Sequence, residues 1–178
     1  MAFQTTIGAG VFSALAVHAN EVTAVPADQA AYEALFADAA DYVEMPNVRD
    51  FPDAMGTPPN IVKVPEYGRK TTLSIGAQPD APDFEITVNY IAADWAPGST
   101  LKDFIDNKTS TVFQFSLLYA KPADLTTTPT GLGSQANSNF YFLGRMESIQ
   151  INPSREDANT ATIAVSLLGD FEGPFTVD

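Results

Sequence analysis

The sequence predicts a mainly β fold: an antiparallel β-sandwich or barrel with one flanking short α-helix, long loops or arms, and a short helical insertion near the N-terminus. Three observations predict it. Apolar and polar residues alternate over 84–90, 113–119 and 160–168, as in half-buried strands. Helical spacing of apolar residues is confined to two short stretches, and 13 Pro and 11 Gly punctuate the chain. With 178 residues, we expect one domain spanning 1–178.

The N-terminal segment 7–17 is apolar and small, and it is followed by His18-Ala19, which loosely imitates a signal-peptidase site. A secretion signal also needs a basic region before the apolar run. Residues 1–48 contain no Lys or Arg, and the run is too short to cross a bilayer. We therefore expect a strand in a soluble protein made in a cytoplasm.

A short amphipathic helix is predicted within 28–40. Tyr32, Leu35, Phe36 and Ala39 recur at helical spacing, and Asp28 is suited to cap the first turn. The following stretch 45–59 holds four prolines and a glycine, so we expect an extended connector without regular structure.

Strands dominate from residue 61 onward. Segments 61–64 and 71–75 read as short strands, and 84–90 is the clearest, with Phe84, Ile86, Val88 and Tyr90 on one face. A second helix is expected after Ser99, with Leu101, Phe104 and Ile105 on its apolar side. Two paired strands follow at 113–119 and 139–151, and a last strand at 160–168. The polar segment 121–138 is too long for a simple hairpin turn and indicates a functional arm.

Composition excludes several kinds of chemistry. The absence of cysteine removes disulfides, thiolate catalysis and Cys-ligated metals. The net charge of -13 opposes binding to nucleic acid. His18 is the only histidine, no nucleophile motif or phosphate-binding loop is present, and the close acids (Asp80 with Asp83, Asp103 with Asp106, Glu156 with Asp157) fit turns and caps. We expect no enzymatic activity, no catalytic or metal-binding residues and no cofactor.

Two roles are possible for the side chain of Trp95. It lies in the segment 92–98, where it is either a stacking platform for a ligand or a plug at the end of the barrel. Plugging is the commoner role of such a tryptophan.

The order and spacing of features from residue 43 onward carry a resemblance, although no single motif is specific. The segments are 43–48 (VEMPNV), the proline-rich connector, 61–69 (IVKVPEYGR), 73–76 (LSIG), 83–90 (DFEITVNY), the hairpin 113–151 with FLG at 142–144, and 164–170 (AVSLLGD). Together they resemble the major tail tube proteins of long-tailed bacteriophages. The acidic helical insertion at 26–41 departs from that pattern.

The resemblance implies a non-enzymatic structural virion protein: a β-sandwich that forms hexameric rings, stacked into a tail tube through which DNA passes without specific binding. The implied partners are further copies of the chain, a tape-measure protein, a tail terminator and baseplate or distal tail proteins, with no membrane. The implied location is the virion tail, assembled in the host cytoplasm. An acidic wall suits such a conduit, because basic residues would hold DNA in place.

Two sets of residues are candidates for roles in a tube. Alternation puts Glu85, Glu147 and Asp83 on polar strand faces, which predicts that they line the lumen. The connector 46–60 and the arm 121–138 are the expected assembly arms, and their apolar residues are the inter-subunit candidates: Phe51, Met55, Leu125 and Leu132.

Three other functions remain open on the sequence. One is an extracellular-type β-sandwich that binds a ligand or carbohydrate through Trp95 and tyrosines. The second is a small hydrolase that uses a pair of acids. The third is the secreted inner-tube protein of a contractile injection system, which resembles phage tubes in fold.

Overall fold

The computed structural model describes residues 13–50, 60–64, 73–77, 84–118, 136–155 and 157–175. Within them the chain forms ten strands, two α-helices and one 3-10 turn (Ala39–Asp41). In chain order the strands and helices are β1 (Ala14–His18), α1 (Gln29–Leu35), β2 (Tyr42–Glu44), β3 (Val48–Asp50), β4 (Asn60–Val64), β5 (Leu73–Ala77), β6 (Phe84–Asn89), α2 (Thr100–Asn107), β7 (Ser110–Leu118), β8 (Ala136–Asn152), β9 (Thr160–Leu167) and β10 (Glu172–Phe175).

Eight strands form one antiparallel sheet in the order β2-β1-β7-β8-β9-β6-β3, with β10 also paired to β8. This confirms the predicted mainly β, sandwich-like class. The 17-residue strand β8 organises the sheet, since its first half pairs with β7 and its second half with β9.

The sheet curls back on itself without closing. Its two edge strands, β2 and β3, are joined by only residues 45–47. A link of this length spans at most about 14 Å. The edges must therefore lie near each other, and the curled sheet encloses an inner face.

The inner face carries the main hydrophobic core. Ile86 and Val88 on β6 and Ile163 on β9 are fully buried there. Helix α2 packs against the same core through its apolar side. The other buried members are Leu15, Val17, Met45, Trp95, Leu101, Phe104, Ile105, Phe113, Phe115, Phe142, Met146, Ala161 and Val165.

Both predicted helices are present, with the caps the sequence indicates. The Asp28 carboxylate accepts a hydrogen bond from the Ala31 amide (2.9 Å), and the Ser99 hydroxyl accepts one from the Lys102 amide (3.4 Å). Helix α2 ends where Lys108 adopts a left-handed conformation (φ 54°).

Several boundaries differ from the sequence prediction. The connector is not wholly irregular, because β3 pairs with β6 inside it. Edge strands tolerate nearby prolines, which explains the error. The arm 121–138 overlaps the start of β8 at Ala136, and neither β2 nor β10 was expected, since strands of three or four residues leave no clear alternation.

Strands β4 and β5 form a separate two-stranded sheet. Their register sets Val62 opposite Ile75 and Val64 opposite Leu73. Both strands were predicted from sequence. Among the described strands, they pair with each other alone.

Candidate functional site

One outer face of the sheet, formed by β1, β7 and the first half of β8, is covered by α1. The Tyr32 ring stacks on that of Tyr141, with centroids 5.0 Å apart, and Phe36 meets His18 edge-on at 6.0 Å. Polar residues on this face are buried too: the Gln114 amide donates to the Tyr141 hydroxyl at 3.2 Å. Both the apolar and the polar residues of β7 are therefore buried. The face under α1, called the covered face below, is not accessible to a ligand.

The opposite outer face, formed by β6, β9 and the second half of β8, is polar. Because Ile86, Val88 and Ile163 point inward, the alternating residues between them point outward. Both described helices pack elsewhere. The residues of this polar face are Glu85, Thr87 and Asn89 on β6, Thr160, Thr162, Ala164 and Ser166 on β9, and Arg145, Ser148, Gln150 and Asn152 on β8.

Glu85 is exposed on the polar face, opposite Ala164 of β9. No hydrogen bond or ion pair joins its carboxylate to another described residue. Asp83, the lumen candidate two positions before it, lies outside the described residues. The lumen role of both acids stays a prediction.

Glu147 stands at an irregularity of β8, because Met146 faces Val165 and Ser148 faces Ala164 with Glu147 between them. Its carboxylate accepts a hydrogen bond from Arg145 Nε at 2.7 Å and lies 3.6 Å from Lys108 Nζ. Lys108 Nζ also donates to the Glu147 carbonyl. The hydrogen bond from Arg145 is the main reason that the pKa of Glu147 is lowered. Glu147 is thus paired within its own chain.

We expect Glu147→Gln to lower the free energy of unfolding by at most about 1 kcal/mol at pH 7, since the pair is partly exposed to solvent. A lowered folded-state pKa means that this stabilisation is present above the ordinary value of 4.5 and is lost as pH falls through the folded-state pKa. Urea unfolding at pH 7 and pH 3 measures it, with Glu85→Gln as the control. A loss that grows on acidification would contradict this assignment.

The ion pairs around Glu147 were not anticipated. Arg145 gives a weak sequence signal, because it lies two residues away on the same strand. Lys108 gives none, since only the packing of α2 beside β8 brings it close. The sequence pattern identified Glu147 as a candidate acid, but it did not predict that Arg145 and Lys108 balance its charge.

The other residues that were considered for catalysis or binding have structural roles in the described part of the chain. His18 is buried, with Nδ1 3.1 Å from the Asn20 carbonyl. Trp95 is only 5% exposed within the core, as a plug would be, and its indole N–H has no hydrogen-bond partner among the described residues. Asp106 pairs with Lys102, and Asp157 pairs with Arg49 at 3.0 Å.

Other candidates cannot be placed. Phe51, Met55, Leu125 and Leu132, the predicted inter-subunit residues, lie outside the described residues, as do Asp80 and Glu156. In the described part of the chain, no group of three or more His, Cys, Asp or Glu side chains is arranged to hold a metal ion. No helix in that part is long and apolar enough to span a membrane.

Comparisons with known proteins find similarity in structure but not in sequence. No protein-family model matches the chain, and no curated protein gives a significant match. Among solved structures, the chain is similar to the tail tube of phage SPP1, determined by solid-state NMR and cryo-electron microscopy. The match has a TM-score of 0.55 and 12% identity, and it covers 97% of this chain and 81% of the SPP1 chain. The chain therefore shares its fold with a phage tail tube protein.

Proposed function

We propose that this chain is the subunit of a tail tube, which self-assembles into stacked rings that form a conduit for DNA. The observation that carries the proposal is the fold match to the SPP1 tail tube, which extends over 97% of the chain. That extent supports a single tail-tube domain over 1–178 and a structural role rather than an enzymatic one. The subunit would reside in the virion tail.

The polar face is the surface best suited to line the bore. Its side chains are short and mostly uncharged, and Glu85 adds an acid. The base on this face, Arg145 of β8, forms an ion pair with Glu147 at 2.7 Å. Among the residues that the structure describes, this face offers DNA phosphates no cation that lacks an acidic partner, so passing DNA would not be retained. The covered face, closed by α1, would then face outward.

Ring closure has a physical reason in the sheet edges. The edge strand β3 pairs with only the second half of β6, so the first half of that edge has no partner among the described strands. Open edges favour pairing with another chain or protection by assembly. Closed cyclic assembly protects every edge in the same way. We propose hexameric rings, with a tape-measure protein, a tail terminator and baseplate or distal tail proteins as the partners along and at the ends of the tube, all assembled in the host cytoplasm.

A carbohydrate-binding module is less well supported. Its main stacking candidate, Trp95, is packed among α2 residues in the core. A secreted inner tube of a contractile injection system would use the same subunit architecture, so it is a variant of this proposal rather than a rival to it.

Sedimentation velocity across a concentration series tests the proposal. We expect the 19.0 kDa chain to give ring-sized species and then much larger assemblies as concentration rises. A chain that stays monomeric at every concentration would contradict the proposed function.

A further inference from the structure

Exposed apolar side chains lie beside both ends of strand β9. The large hydrophobic residues that are exposed in the described part of the chain are Val25, Ile91, Ile151 and Leu168. They form two pairs, one beside the first residues of β9 and one beside its last residues. Strand β9 is about 26 Å long. The two pairs are therefore too far apart to cover each other within one copy.

The first pair consists of Ile91, which is 47% exposed, and Ile151, which is 49% exposed. Ile151 of β8 lies opposite Ala161, the second residue of β9. The Tyr90 amide donates a hydrogen bond to the Asn159 carbonyl at 2.8 Å, so Ile91 also lies beside the start of β9. We call this surface the Ile91 end.

The second pair consists of Val25, which is 46% exposed, and Leu168, which is 44% exposed. Leu168 directly follows β9, and its amide donates a hydrogen bond to the Leu143 carbonyl at 2.9 Å. A Cβ at Gly169 would lie 3.0 Å from Val25 Cγ2, so Val25 packs against the residue next to Leu168. We call this surface the Leu168 end.

The Leu168 end carries acids without bases of their own. Asp170, two positions after Leu168, and Glu21 are exposed. Neither carboxylate forms an ion pair with another described residue. The bases on this side, Arg145 and Lys108, pair with Glu147 at 2.7 Å and 3.6 Å. An acid of the Leu168 end is therefore available to a base of another molecule.

The Ile91 end carries such a base. Arg155 is exposed between β8 and β9, four positions after Ile151. No ion pair or hydrogen bond joins its guanidinium to another described residue. Arg49, the other described base on this side, pairs with Asp157 at 3.0 Å. The two ends are therefore complementary, because each exposes an apolar pair and their unpaired charges have opposite sign.

We propose that the Ile91 end of one copy docks on the Leu168 end of a second copy. The apolar pairs would then cover each other, and Arg155 would meet Asp170. Copies with a net charge of -13 repel one another, so they should meet where apolar surface is buried and a base faces an acid. The inference rests on the proposed tail tube function and adds the two surfaces that join neighbouring copies.

The proposed contact joins unlike surfaces, so it is heterologous. Each copy can then bind one neighbour at each end, and the contact can extend through an assembly of many copies. A contact between like surfaces would instead stop at a pair. The distinction matters for the test, because only copies with complementary ends should bind each other.

Charge reversal tests the contact. Arg155→Glu and Asp170→Arg, each made alone, are expected to raise the concentration needed for assembly by about ten-fold or more, since each sets like charges against each other. The combined variant Arg155→Glu/Asp170→Arg exchanges the two charges and is expected to assemble within about three-fold of the unmodified chain. Sedimentation velocity measures the assembly, and circular dichroism checks that each variant is folded.

The matched control is Arg155→Glu/Glu33→Arg, which has the same net charge as the combined variant. Its new base lies on an exposed position of α1, away from the Leu168 end. This control is expected to stay as impaired as Arg155→Glu alone. Assembly of the combined variant no better than that of the control would overturn the inference.

The same measurements separate this inference from the proposed function. Unmodified chain that assembles, together with single variants that assemble equally well, would overturn the docking of these ends and leave the tail tube function intact. If the unmodified chain stays monomeric at every concentration, both proposals fail.

Cross-linking provides a second test. The chain has no cysteine, so single cysteines can be introduced without background. Copies with Ile151→Cys are mixed with copies with Leu168→Cys and treated with a short bismaleimide, and a heterodimer is expected. Ile151→Cys mixed with Ala30→Cys, on an exposed position of α1, should give little. Equal yields in the two mixtures would overturn the proposed contact.

Discussion

Replacing Phe113 with alanine is expected to lower the free energy of unfolding by about 3–5 kcal/mol, because a fully buried aromatic ring is lost and a cavity remains. Phe113 is 0% exposed and lies on β7, the strand between the inner core and α1. Its ring is stacked on Phe142 of β8, with centroids 4.8 Å apart and planes 7° apart. Gly144 packs closely against this ring, since a Cβ at position 144 would lie 3.2 Å from the Phe113 ring.

Urea unfolding followed by circular dichroism measures this loss. The matched control is Phe140→Ala on β8, which removes a ring that is only partly buried. We expect the control to lose clearly less stability than Phe113→Ala. Equal losses would mean that the Phe113–Phe142 stack is not the centre of the core.

Introducing lysines on the polar face is expected to block DNA delivery while leaving tubes intact. In Glu85→Lys/Gln150→Lys, both changed positions are exposed on the proposed bore wall. Each ring then presents a circle of cations to DNA, which carries one negative charge per roughly 1.7 Å of its axis, so passing DNA would be held. Delivery by particles with such tails should fall by about ten-fold or more, since several phosphate contacts form at once.

The control for this prediction is Ala30→Lys/Glu33→Lys, which makes the same change in charge on exposed positions of α1. Because α1 lies over the covered face, its lysines should sit outside the tube and leave delivery unchanged. Equal defects in the two variants would refute the assignment of the polar face to the bore. Glu147 is unsuited to the test, because reversing its charge also breaks its pairs with Arg145 and Lys108.

The regular elements could be predicted from sequence where local patterns are strong. The alternation around Ile86 and Val88 identified β6, and the Asp28 and Ser99 caps identified both helices. The very short strands β2, β3 and β10 escaped prediction because they depend on pairing with distant strands. Burial of Gln114 also escaped, since only α1 packing against β7 closes that face.

The candidate site was predictable only in part. Alternation correctly put Glu85 on an outward polar face, but it could not show that Glu147 is neutralised by a base 39 positions away. The exposure of Ile91 and Ile151 was equally hidden, because both look like core residues in sequence. Which face of the sheet is exposed to solvent depends on tertiary packing, which local sequence patterns do not show.

Cryo-electron microscopy of assembled protein tests the central claim most directly. We predict a hollow tube of stacked rings, in which the polar face with Glu85 lines the bore and α1 lies on the outside. A tube with α1 in the bore would contradict the assignment of the faces. Solid or irregular aggregates, or monomers alone at every concentration, would contradict the tail tube function itself.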